Sequence, residues 1–280
     1  METAHNVRLT VLVENNADPA SLGSEHGWSV LVETDDSCGL FDTGQSGLVV
    51  DNASALDVDL RELEWIVLSH GHYDHTGGLE AVLTEAESVT VYCHPEAFPM
   101  KFVREDDGCY RDAGMELSRQ VINEKGADLK VIPRAAKIGK GLTTTGEIPR
   151  VTDFEPIPER FFLARDGERV PDQFRDDQAM VFSCEQGLVV LVGCAHAGVV
   201  NTVKHAIELT GIDRVYAVIG GMHLGRACEK RLAQTVRAFQ ELEVEMVGPA
   251  HCTGQKATAQ FKREFGDGCL SCPAGTRLEF

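Results

Sequence analysis

Between Ser69 and Gly78 the chain places His70, His72, Asp74 and His75, four side chains able to bind a cation, within six positions. Three imidazoles and a carboxylate would be costly to bury unpaired, whereas one or two divalent cations would satisfy all of them. A single histidine is more often a packed or solvated imidazole, but a set this dense points to a metal site. Three further histidines recur in one local setting. His196, His223 and His251 each follow an apolar run that closes in small residues. Sites in α/β sheets gather where strand ends meet loops, so these imidazoles are expected to converge with the first cluster.

The elements that must position them follow from periodicity. The run Trp65 to Leu68 before the histidine cluster reads as a buried strand. Upstream, 7–13, 28–33 and 38–42 read as three strands joined by polar turns, an antiparallel meander. Helices are expected within 46–63 and from Gly78, then a strand over 88–93 with His94 at its tip. From Gln178 the pattern becomes strand, strand, helix, strand, helix, strand. Its helices span about 199–209, closed by Gly211, and 226–242, and its last strand spans 243–247. The stretch 98–177 is the least patterned, with a helix over 114–125 and a short strand at 130–132. No repeat or low-complexity segment divides the chain, so residues 1–280 are read as one domain of two β-halves with helices outside.

The H-x-H-x-D-H pattern from His70 to His75, with Phe41-Asp42-Thr43-Gly44 upstream and the histidine-bearing strand ends downstream, resembles the metallo-β-lactamase superfamily. That resemblance covers most of the chain. It implies an α/β four-layer αββα sandwich with an insertion, about 98–177, over the metal face. It also implies two divalent metal ions, zinc foremost with manganese or iron as alternatives. His70, His72 and His196 could hold one ion, and Asp74, His75 and His251 the other, with Asp74 also counted among the catalytic groups. His223 would remain as a general acid or substrate-binding group, against a purely structural role. In the family a carboxylate usually bridges the metals from the residue after a strand-end glycine. Here that position is Cys194, a departure that leaves the bridging ligand open: a thiolate would favour zinc, yet a buried cysteine is commonly only packing. His94 is an alternative for the place of His196. Asp42 either orients a ligand histidine or caps its own turn, and His26 is a loop histidine at the pocket rim.

Composition bounds the rest. The net charge of −18 argues against a nucleic-acid-coating or anionic-membrane role. No run approaches the roughly 18 apolar residues of a membrane span, and the first residues lack a basic-then-apolar signal, so a cytoplasmic location is expected. Nine cysteines, an odd number, do not read as a disulfide framework. Cys269 and Cys272 form a C-x-x-C without a second half, so reduced packed thiols are expected rather than a redox pair or metal site. Residues 98–150 carry ten Lys/Arg against eight Asp/Glu, in contrast to the acidic whole. Arg104, Arg111, Arg134, Lys137, Lys140 and Arg150 are therefore candidates to meet an anionic small-molecule substrate, while self-association stays open.

The expected activity is that of a dinuclear metal-dependent enzyme acting on phosphorylated or ester-like small molecules, as hydrolase or transferase. The motifs around Cys194–His196, His223 and His251 are similar to a narrower branch. It includes synthases joining a dihydropterin pyrophosphate to a ribosylaminobenzene phosphate. Two readings compete. One is an iron-dependent oxidoreductase or sulfur dioxygenase on the same fold, disfavoured because the diiron members generally carry a carboxylate where this chain has His72. The other is a metal-binding protein without catalysis.

Overall fold

The structure, a computed structural model, describes residues 3, 4 and 6–280. Three antiparallel strands open it: β1 (Arg8–Val13), β2 (Ser29–Glu33) and β3 (Cys38–Phe41), the meander that alternating apolar runs and polar turns dictate. Helix α1 (Leu48–Ala55) carries the chain back to β4 (Trp65–Val67), parallel to β3. The single turn α2 (Tyr73–Thr76) and helix α3 (Leu79–Glu85) then return it to β5 (Thr90–Cys93), parallel to β4. Strands β6 (Lys101–Arg104) and β7 (Tyr110–Asp112) form a hairpin, and α4 (Arg119–Glu124) leads to β8 (Asp128–Val131). Two more hairpins follow, β9 (Arg134–Gly139) with β10 (Leu142–Gly146) and β11 (Phe161–Arg165) with β12 (Glu168–Pro171). A fourth, β13 (Ala179–Cys184) with β14 (Gly187–Val192), starts the alternating half: α5 (Val199–Thr210), β15 (Val215–Gly221), α6 (Glu229–Glu241), β16 (Met246–Ala250), α7 (Gln255–Phe265) and the closing β17 (Arg277–Glu279).

These strands make a seven-stranded sheet ordered β17-β1-β2-β3-β4-β5-β8 and a six-stranded sheet ordered β16-β15-β14-β13-β10-β9. Alternate side chains of each strand face opposite ways, and the packing follows that rule. Met180 and Phe182 of β13 point between the sheets with Trp28, Phe41 and Val67, whereas Val181 faces α5 and α6 with Val199, Leu232 and Phe239. On the other flank, Leu31, Leu40 and Ile66 pack under Val49, Leu79 and Ile122 of α1, α3 and α4. Helix, sheet, sheet, helix is thus a four-layer αββα sandwich.

The stretch 98–177 divides in space. Strands β6, β7, β11 and β12 form a separate four-stranded sheet, while β8, β9 and β10 extend the edges of the two main sheets. The strand expected over 243–247 runs instead over Met246–Ala250, pairing Gly220 with Pro249 and Gly221 with Ala250. Pro249 is accommodated because β16 is an edge strand, where its missing N–H interrupts no ladder. Helix α5 ends as its sequence requires, with Gly211 at φ 69° donating its N–H to the Ile207 carbonyl. No helix among the described residues is long and apolar enough to cross a membrane.

Candidate metal centre

The loop after β4 is held from behind by Asp42, at the end of β3. One Asp42 carboxylate oxygen accepts the Ser69 N–H at 2.7 Å; the other accepts the Ser69 hydroxyl and lies 2.7 Å from His75 Nδ1. Of its two expected roles, Asp42 therefore takes the one that orients a histidine. Ser69 Oγ also lies 2.9 Å from His70 Nδ1, and His70 Nε2 lies 3.0 Å from His72 Nδ1. The end of β14 passes so close to this loop that a Cβ at Gly193 would meet Ser69 Oγ at 2.1 Å. Glycine there brings Cys194 against His75, whose Nε2 is 3.2 Å from the thiol sulfur.

Strands β14, β15 and β16 run parallel, so their carboxyl ends deliver Cys194, His196, His223 and His251 to one edge. The His196 ring centre is 4.9 Å from those of both His70 and His72, and 4.2 Å from that of His223. The His251 ring is 5.0 Å from His75, and its Nε2 lies 3.3 Å from Asp74 Oδ2. His26 Nε2 approaches the same carboxylate at 3.2 Å from the rim. The six expected ligands and His223 thus meet in space. Among the described residues, four groups each hold donor atoms within 4.8 Å of one another: His70, Cys194 and His196; His75, Cys194 and His251; Cys194, His223 and Cys252; His26, Asp74 and His251. Neither His72, whose Nδ1 lies 3.0 Å from His70 Nε2, nor His94, whose Nδ1 accepts the Glu96 N–H, joins any of them.

The donor set fits a cation. Among the described residues, the buried ring nitrogens without a hydrogen-bond partner include His72 Nε2, both of His196 and His223 Nδ1 at this site, and His94 Nε2 and His205 Nδ1 elsewhere. Buried polar atoms are rarely left so. Burial, reinforced by neighbouring imidazoles, holds His70 and His196 well below the usual histidine range, and burial with the Lys101 charge takes His72 to about 3. They stand as neutral imidazoles, the form that binds metal. Burial opposes ionisation of Asp74, yet His75, His251 and His26 around it hold its carboxyl well below the carboxylate range. His75 is also opposed by burial, but the Asp42 and Asp74 carboxylates raise it to about 9.

Around these ligands stands a rigid surround. The Phe174 ring stacks on His196 at 4.2 Å and 11°, and Phe161 stacks on His72 at 5.2 Å. Asp177 accepts the Ala197 N–H at 2.8 Å, and the Arg150 guanidinium donates to the His196 and Ala197 carbonyls at 3.1 Å. Asp176 accepts the Gly71 N–H, between His70 and His72, at 2.8 Å. The centre opens into a cleft of about 270 Å³. Of the expected basic residues, only Arg111 lines it; Arg150 works behind the wall, and Arg104, Arg134, Lys137 and Lys140 lie outside it. Arg160, Arg226 and Cys252, which the sequence did not single out, do line it. Cys252 follows His251 directly, and that adjacency was the available signal. Cys269 and Cys272 are buried free thiols, Cys272 pushed up to about 12 by burial.

The sequence profile of the metallo-β-lactamase superfamily matches residues 22–251. The chain is 32% identical to the 7,8-dihydropterin-6-methyl-4-(β-D-ribofuranosyl)-aminobenzene-5′-phosphate synthase of Methanocaldococcus jannaschii, over 98% of this chain and 97% of that one. Among solved structures, a metal-dependent hydrolase of the β-lactamase superfamily superposes with a TM-score of 0.83 at 36% identity, covering 98% of this chain and 99% of the other. A diphosphatase of the PhnP family shares the fold at a TM-score of 0.56 and 13% identity, covering 98% of each chain. With the histidine-bearing loop, the αββα layers and these matches together, the chain belongs to the metallo-β-lactamase superfamily.

Proposed function

We propose that this protein is a dinuclear metal-dependent enzyme acting on phosphorylated small molecules, its centre built from His70, His72, His196, Asp74, His75 and His251 with Cys194 between the two halves. The carrying observation is that Cys194 is shared by the group with His70 and His196 and the group with His75 and His251, besides a third with His223 and Cys252. A shared thiolate there favours zinc by softness. Bound in this set, divalent cations would supply Lewis acidity toward an anionic leaving group and an acidified water. The chain itself supplies position and proton handling. His223 faces the cleft beside His196 with a buried Nδ1 free of hydrogen bonds, suited to passing a proton to a leaving oxygen. Phe161 and Val103 line the same cleft and keep water from the reacting atoms.

Within that class, the full-length similarity to the dihydropterin synthase supports transfer, the condensation of a dihydropterin pyrophosphate with a ribosylaminobenzene phosphate releasing pyrophosphate, while the full-length similarity to a metal-dependent hydrolase supports hydrolysis. The test begins with metal content of the purified protein, expected near two per chain. Incubation with the pterin pyrophosphate, with and without the arylamine acceptor, then follows. A coupled product supports the transferase; hydrolysed pterin alone, in both arms, supports the hydrolase. His72→Ala is expected to lose metal and more than about 100-fold in rate. Retention of both would remove the centre as the seat of activity.

A further inference from the structure

Three arginines from three separate segments line the same cleft as the imidazoles: Arg111 on β7, Arg160 just before β11, and Arg226 in the loop after β15. Two of them share one carboxylate. Arg111 Nε donates to Glu105 Oε1 and an Arg160 guanidinium N–H to Glu105 Oε2, each at 3.0 Å. Two guanidiniums against one carboxylate leave a positive charge uncompensated. Arg160 Nε is, in addition, buried without a hydrogen-bond partner. Among the described residues Arg226 pairs with Asp106 alone, at 3.9 Å, an aspartate whose side chain is 94% exposed, so that contact does little to neutralise it. Two aromatic rings, Tyr73 and Phe161, line the cleft with them. Arg111 lies over the Tyr73 ring at 5.5 Å, and Phe161 continues the surface to His72.

Forked, permanently charged donors match the oxygens of a phosphate, and aromatic side chains suit an aromatic ring. We propose that the arginine end of the cleft is a phosphate subsite: it holds a phosphate that does not react, carried by an aromatic substrate whose ring lies along Tyr73 and Phe161. Glu105 is the internal anion that occupies Arg111 and Arg160 until that phosphate displaces it. The inference rests on the cleft being the substrate site of the proposed enzyme. It adds an end-to-end direction: a fixed phosphate at the arginines and the reacting group at the imidazoles.

Phenylphosphonate, an aryl phosphate mimic that cannot be hydrolysed, is the probe, titrated calorimetrically into the metal-loaded protein. Arg160→Gln is expected to weaken its binding roughly tenfold, as loss of a charge-assisted contact does. Arg226→Gln, on a mostly exposed side chain that folding does not need, should weaken it roughly threefold. Glu105→Gln is expected to strengthen binding roughly threefold or more, because the internal competitor is gone. This opposite sign separates a phosphate subsite from general loss of structure. Unchanged affinity in Arg226→Gln and Glu105→Gln, or weaker binding in Glu105→Gln, overturns the subsite. If the arginine pattern holds while the metal-loaded protein turns over no phosphorylated substrate, the proposed reaction fails and the subsite stands. If the enzyme is active but Arg160→Gln and Arg226→Gln leave both probe affinity and KM unchanged, the subsite fails alone.

Discussion

At Cys194, burial and the neighbouring Cys252 thiol push the pKa well above the usual thiol range, so the bare sulfur stays protonated. A cation reverses that preference, since a coordinating thiol gives up its proton. Cys194→Ala should therefore lower metal content from about two ions toward one or none, while Cys194→Asp, which restores an anionic donor, should recover the second; elemental analysis of both variants decides. Asp177 makes a second residue-scale test. Burial raises its carboxyl to about 7, from 3.8 in the free side chain. The unfolded chain thus releases this proton first as pH rises. The stability it contributes is full below 3.8 and lost as pH climbs through 7. In chelator-treated protein, the wild type should lose about 2 kcal/mol more than Asp177→Asn between pH 5 and pH 8, read from urea midpoints. Equal pH slopes would mean that Asp177 is not protonated in the fold. The Ala197 N–H that Asp177 accepts makes this titration a report on the loop bearing His196.

The small four-stranded sheet is joined to the metal loop by charge. Lys101 of β6 is fully buried and donates to Asp172 at 2.7 Å and Asp176 at 3.1 Å, and Asp176 in turn accepts the Gly71 N–H. Removing one member of such a network strands the others as buried charges. Lys101→Met is expected to cost about 3–5 kcal/mol in urea unfolding, and the triple change with Asp172→Asn and Asp176→Asn to recover most of it. A loss below about 1 kcal/mol in the single variant would mean that the aspartates are already protonated or solvated. This network could not be read from the sequence, because its members are 71 and 75 residues apart and each alone resembles a surface charge. The same holds for the sheet around it. Strand β7 is exposed along its whole length and β12 nearly so, and strands with no buried face carry no alternation to detect. By contrast β13, β14 and β15 are buried almost throughout. Their apolar runs, with the Gly211 stop of α5, were legible in the sequence. The H-x-H-x-D-H loop was legible for another reason: its donors are adjacent in the chain, whereas Arg160 and Glu105 reach the site only through folding.

At the scale of the molecule, the two half-sandwiches meet twice. They share the core between the sheets, and they share the candidate donor groups, with His70 and His75 from the first half and His196 and His251 from the second. A cation held by both halves must be released or stripped of donors before they can part, so its binding free energy adds to the stability of the whole chain. At a free metal concentration 100-fold above Kd this amounts to about 2.7 kcal/mol, or roughly 5–10 °C in Tm for a domain of this size. Chelation should therefore lower Tm by that amount as a single transition, and readdition of zinc should restore it. His251→Ala, which removes a second-half donor, should shrink the metal-dependent increment. Cys272→Ala, a change at a buried thiol in the core between the sheets and outside every ligand group, should lower Tm slightly but keep the increment intact. Two separate transitions on chelation, or an increment unaffected by His251→Ala, would mean that the metals sit on one half alone. Convergence of imidazoles from both ends of the chain would then not be what closes the sandwich.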